Sequence, residues 1–133
     1  MDKVLLDTSI LIDHLRQKQK EATLLSRMQR SLYELSISMI THAEMYSGKS
    51  VWESNEARRE LEALMTGLEF ISLDMKISLK AGNIRADYDM ALYDAIIAAT
   101  AIRSNLSLVT LNKKHFEKVD DLKLFNLELI KEN

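Results

Sequence analysis

The chain has 133 residues, 47% of them hydrophobic, with 18 Lys and Arg against 20 Asp and Glu and a formal net charge of −2. That size and balance support one hydrophobic core without metal or disulfide staples, so a single domain over residues 1–133 is expected. The absence of Cys excludes a disulfide framework, a Cys-ligated zinc site and a thiol nucleophile. The scattered Gly48, Gly67 and Gly82 exclude a P-loop and a dinucleotide-binding turn.

Lys3 to Leu6 is a short apolar run ending at Asp7, which predicts a buried strand. From Thr8 the spacing becomes helical, with Ile10, Leu11, His14 and Leu15 on one face. A second helix is predicted over about 20–31 and a second strand over 35–38. Helices over about 41–50 and 52–66 follow, the latter ending near Gly67. Residues 69–73 read as the third strand and 74–87 as another helix. After a loop at 88–93, a helix from Asp94 to about Ser104 is apolar all round between Ala95 and Ile102 and must be central. Residues 106–109 give the fourth strand, and 123–127 a possible fifth. Short apolar strands alternating with helices imply a three-layer α/β/α sandwich around a mostly parallel sheet of four or five strands.

No apolar run approaches the roughly 18 residues of a membrane span, and the N-terminus lacks signal-peptide character, so a cytoplasmic protein with no membrane contact is expected. A sequence pI of about 5.9 argues against a generally basic nucleic-acid binder and leaves only a local patch. Aromatic residues make up 6%, a poor basis for a stacking platform.

In parallel α/β sheets ligands sit beyond the carboxyl ends of the strands. Asp7 lies there, Asp94 opens the apolar helix, and Thr110 and Asn112 follow the fourth strand. Glu44 is flanked by Ile40, Ala43, Met45 and Tyr46 and reads as a carboxylate in a largely buried helix. Converging carboxylates repel one another, and a hard divalent cation such as Mg²⁺ resolves the conflict. Each acid also has an ordinary reading. Asp7 and Asp94 suit helix N-caps, Glu44 suits a half-exposed face, Asp13 suits solvent, and Asp87 and Asp89 suit a solvated loop.

Four stretches nevertheless occur in a telling order: Leu5-Leu-Asp7-Thr8-Ser9-Ile-Leu-Ile-Asp13, Ser38-Met-Ile-Thr41-His-Ala-Glu44, Asp94-Ala-Ile-Ile-Ala-Ala, and Thr110-Leu-Asn112-Lys-Lys-His115-Phe116. Together they resemble the PIN domain, in particular the VapC toxins of bacterial and archaeal toxin–antitoxin pairs, from about residue 3 to 127. The resemblance implies a PIN-like fold and an endoribonuclease dependent on Mg²⁺ or Mn²⁺. It matches Asp7, Glu44 and Asp94 to the family's metal-ligating acids, and Thr8 or Ser9 to a supporting hydroxyl beside the first, with Thr110 close by. The fourth acidic position corresponds to Asn112, which can hold a metal-bound water but adds no charge. About one firmly bound divalent ion is therefore expected, with a second arriving with RNA phosphate or binding weakly.

The resemblance also implies an RNA substrate of folded type, such as a tRNA or rRNA loop. It implies a VapB-like antitoxin whose C-terminal segment blocks the site between the helices at 20–31 and 52–66, and a homodimer. Arg16, Lys18, Lys20, Lys113 and Lys114 are candidate phosphate contacts, and His115 a candidate substrate or partner contact. Met28, Met39, Met45, Tyr46 and Trp52 suit either core or a partner groove.

Competing enzyme classes fit less well. A haloacid-dehalogenase-type phosphatase places a second Asp two residues after the first, where this chain has Ser9, and a receiver domain places paired acids near its first strand. His42-Ala-Glu44 without Cys excludes a zinc deaminase. A non-catalytic PIN-like module binding RNA or protein is the remaining alternative, kept open by Asn112.

Overall fold

The computed structural model describes residues 2–130. β1 (Lys3–Leu6), β2 (Glu34–Ser38), β3 (Glu69–Ile71) and β4 (Ser107–Val109) form one parallel sheet in the order β3-β2-β1-β4. Successive strand residues point to opposite faces. In β1, Val4 and Leu6 enter one core cluster and Leu5 the other, and in β4 Val109 and Leu108 divide the same way. Both faces are therefore apolar and both need a helical layer.

On the first face lie α1 (Thr8–Arg16), α2 (Leu24–Gln29), α3 (Met39–Met45), α4 (Lys49–Glu53) and α5 (Asn55–Met65), anchored by Ile10, Leu11, Leu25, Met28 and Leu61. On the second lie α6 (Met75–Tyr88), α7 (Leu92–Arg103) and the short α8 (Lys113–Phe116), anchored by Ile77, Ile84, Ile97 and Phe116. The result is the expected α/β/α sandwich. Every residue of α7 from Ala95 to Ala101 is buried, as its uniform apolarity requires. Burying one Ile or Leu fully contributes about 1.5–3 kcal/mol, so α7 ties its N-terminus firmly to the sheet.

Several boundaries differ from the sequence expectation for local hydrogen-bonding reasons. The helix expected over 20–31 is a 3-10 turn (Lys20–Ala22) followed by α2, because Thr23 turns extended and caps α2, its Oγ1 accepting from Ser26 N at 3.2 Å. Ser38 similarly starts α3 early, accepting from Ile40 N at 3.1 Å, and Ser54 starts α5, accepting from Ala57 N at 3.1 Å. The stretch expected as a fifth strand makes one parallel bridge, Leu108 to Leu124, with two 2.8 Å hydrogen bonds flanking it. Met28 and Met45 are core, whereas Met39 and Trp52 are exposed. Tyr46 and Trp52 join His42 and Phe70 in a surface run of rings. Among the described residues no helix is long and apolar enough to cross a membrane.

Candidate active site

The strand order reverses beside β1: the chain proceeds outward through β2 and β3, then returns to place β4 on the other side. The crevice outside such a reversal is where open parallel sheets bind ligands. Asp7 follows β1 and Thr110 follows β4, and the two strand ends are joined by Asp7 N donating to Val109 O at 2.9 Å.

Asp7 occupies the N-cap position of α1, yet its carboxylate caps nothing. It is 3% exposed and turned into the crevice, where Oδ2 accepts from Ser9 Oγ at 2.8 Å and from Thr110 Oγ1 at 2.7 Å. Both hydroxyls are held from behind, Ser9 Oγ accepting from Leu111 N at 3.1 Å and Thr110 Oγ1 from Asn112 N at 2.9 Å. Their protons are thereby directed at Asp7. Thr8 does not share this duty. Its hydroxyl pairs with Thr41 Oγ1 at 2.9 Å and with the Tyr93 hydroxyl, fastening α1 to α3 and α7.

Asp94 is in the first turn of α7, whose N-cap is Ala91, so it is not the cap that sequence allowed. The positive helix end favours its charge. Burial, and then the neighbouring negative charge of Asp7, push its carboxyl above the usual range. His115 opposes this, with Nδ1 3.7 Å from Asp94 Oδ2. Glu44 departs from expectation: α3 buries only Thr41 and Met45, and Glu44 is exposed on its outer side. No isolated buried charge arises there. The Tyr93 phenol is pushed up chiefly by burial, with Glu44 and Asp7 both contributing negative charge, so the ring stands in the field of both acids.

Asp7, Glu44, Asp94 and Asn112 line one cavity of about 580 Å³, together with Ser9, Tyr93 and Arg16. Asp13, expected at the surface, also lines it and accepts from Gln17 Nε2 at 3.1 Å. Among the described residues, no three His, Cys, Asp or Glu side chains gather closely enough to hold a metal ion between them. The Asp7–Asp94 pair, with the exposed Glu44 and the half-buried Asp13 on the same cavity, is the available donor set. Its chemistry fits one hard divalent ion. The donors are oxygens, Asp7 Oδ1 takes no hydrogen bond, and the mutual repulsion felt at Asp94 is what a cation would relieve.

Of the candidate phosphate contacts, Arg16 borders the cavity and Arg16, Lys18, Lys113 and Lys114 are exposed. Lys20 is half-buried and engaged within the fold. Its Nζ donates to His14 O at 2.7 Å and Leu15 O at 2.6 Å, closing the C-terminal end of α1.

The family model described as the PIN domain matches residues 4–122. The chain belongs to the PIN domain family. Among relatives of this PIN domain, ribonuclease VapC19 of Mycobacterium tuberculosis is 32% identical over 89% of this chain and 95% of its own. Ribonuclease VapC1 of Methanocaldococcus jannaschii is 33% identical over 96% of this chain and 86% of its own. The crystal structure of DNA-bound VapBC from Salmonella typhimurium aligns with a TM-score of 0.76 and 27% identity, covering 94% of this chain and 98% of that one.

Sequence reasoning did not single out Tyr93 or Thr41 in this PIN domain. Both meet Thr8 only through tertiary packing, and the one available signal was the adjacency of Tyr93 to Asp94. Asp87 and Asp89 lie outside the cavity. Asp89 ends α6 in a left-handed conformation with φ 50°.

Proposed function

We propose that this PIN domain, acting as one domain over residues 1–133, is a metal-dependent endoribonuclease. In this reading it is a VapC-like toxin of the cytoplasm that cleaves a folded RNA such as a tRNA or rRNA loop. The observation that carries the reading is the Asp7–Asp94 pair at the strand-order reversal, with Glu44 and Asn112 on the same cavity. Kinship with VapC ribonucleases supports the substrate class.

Mg²⁺ or Mn²⁺ would be held by Asp7 and Asp94, with Glu44 as an outer partner through water, and when bound supplies Lewis acidity toward water and phosphate oxygen. The chain's own residues do the rest. Ser9 and Thr110 fix the Asp7 carboxylate in one orientation, so no reorganisation is needed when a phosphodiester arrives. Asn112 offers a neutral amide at the cavity edge, which orients a water or a phosphate oxygen without adding repulsion. Among the described residues that line the cavity the proton acceptors are carboxylates, with His115 next to them 3.7 Å from Asp94, so a carboxylate is the base assigned to the attacking water. Arg16, Lys113 and Lys114 attract the RNA backbone around an otherwise acidic centre.

A VapB-like antitoxin as partner is supported by the likeness to the DNA-bound VapBC complex of Salmonella typhimurium, and closure of the cavity by that antitoxin and pairing of two copies of this chain belong to the same proposal. The test is cleavage of total RNA with Mg²⁺ or Mn²⁺. Discrete fragments that vanish with EDTA and with folded Asp7→Asn or Asp94→Asn support the reading. Intact RNA after incubation with folded, metal-supplied wild type contradicts it.

A further inference from the structure

Beside the cavity of the two acids lies a larger groove of about 690 Å³, and the two share Asp13, Gln17 and Leu111 as a common wall. Arg27 of α2 borders this groove. Its guanidinium makes no hydrogen bond or ion pair, and Nε is the one buried side-chain polar atom without a partner among the described residues. With Nε closed off from solvent, a phosphate in the groove would meet the two terminal nitrogens, whose N–H groups can be accepted as a pair. Around it the groove is apolar at Leu24 and Leu127 and polar at Gln19, the mixture a base and its hydrogen-bonding edge require. Its volume falls within the roughly 300–1,000 Å³ of small-molecule sites, sufficient for one nucleotide.

We propose that this groove is a nucleotide subsite, receiving an unpaired nucleotide of the RNA next to the scissile phosphodiester. Its phosphate lies on Arg27 and its base against Leu127, above the small open edge of the otherwise buried Leu24. The proposal rests on the ribonuclease reading above. Asp13 and Glu128 also line the groove, so the attraction for phosphate is confined to the guanidinium and is not a broad positive field. The shared wall carries the strand from one compartment to the other, and the Asp13 carboxylate there is suited to a base that presents an amino group.

The test is binding of a fluorescent single-stranded RNA by anisotropy in EDTA, across about 50–200 mM salt. Wild type, Arg27→Gln and Arg27→Lys are compared after their unfolding curves are matched. Arg27→Gln should weaken binding at least about tenfold and reduce the logarithmic salt slope by about 0.7, the single-strand value for one phosphate contact. Arg27→Lys should retain the slope and lose part of the affinity, since it keeps charge but not the fork. With divalent metal, Arg27→Gln should raise KM and leave kcat nearly unchanged. Unchanged affinity and slope in Arg27→Gln overturn the proposal, as does a wild type that binds no RNA, or a variant that loses only its grip on a peptide partner. The two readings fail separately. Cleavage with no effect of Arg27→Gln removes the subsite and leaves the nuclease, whereas Arg27-dependent binding without cleavage removes the nuclease and leaves an RNA groove.

Discussion

Thr110→Val isolates the force that holds Asp7 in place. The substitution keeps shape and removes one hydroxyl, so Asp7 Oδ2 loses its 2.7 Å bond and retains the 2.8 Å bond from Ser9. A hydrogen bond to a charged group contributes about 1.5–3 kcal/mol. The second bond lost, from Asn112 N, costs less, because Asn112 is exposed and water can replace Thr110 there. We therefore expect Thr110→Val to lower the unfolding free energy by about 2 kcal/mol. At a urea dependence of about 1–3 kcal/mol per molar, that moves the midpoint by roughly 1 M, and Thr110→Ser should restore most of it. In an Asp7→Asn background the same substitution removes only a neutral bond, and its cost should fall to about 0.5–1.5 kcal/mol. An identical cost in both backgrounds would refute the argument, because it would show that the Thr110 hydroxyl does not act through the charge of Asp7.

Three further outcomes follow from the same geometry. Asp94→Asn removes a carboxylate that burial and Asp7 both disfavour, so thermal unfolding in EDTA should show the variant more stable than wild type. A lower melting temperature would contradict that. His14 is held below its ordinary value of 6.5, mainly by burial and then by Lys20, with Nδ1 2.7 Å from Thr23 Oγ1. Its folded form resists a proton that the unfolded chain accepts, so stability should decline as pH falls below about 6.5, and His14→Gln should flatten that part of the urea-midpoint profile. Lys20→Met should cost about 1–2 kcal/mol by opening the end of α1, measured by urea unfolding. It should leave the salt dependence of RNA binding unchanged, unlike Lys113→Met.

Much of the fold is written locally. The Val4-Leu-Leu6 run cannot be exposed, and the apolar stretch after Asp94 has no polar face to turn outward, so both had to be central and both are. The position of Asp7 at a strand end follows from that. What local pattern does not carry is the choice among partners. Asp7 and Asp94 are equally good helix caps on paper, and only the meeting of the turns after β1 and β4 puts Ser9 and Thr110 on Asp7. Glu44 looked buried because its neighbours are apolar, but α3 presents only Thr41 and Met45 inward. Lys20 looked like a surface cation because nothing in its own segment reveals the carbonyls of His14 and Leu15. Thr23 breaks the helix that periodicity would continue, since its hydroxyl serves Ser26 N and lies 2.7 Å from His14 Nδ1.

The central claim is that Asp7 and Asp94 together hold a divalent ion for phosphodiester hydrolysis, and Mn²⁺ binding tests it most directly. Electron paramagnetic resonance titration of the metal-free protein should show about one tight Mn²⁺ per chain. That site should be lost in Asp7→Asn and in Asp94→Asn, weakened in Glu44→Gln, and displaced by Mg²⁺. Equal Mn²⁺ binding by wild type and the folded Asp7→Asn and Asp94→Asn variants would contradict the account, whatever the cleavage assay showed.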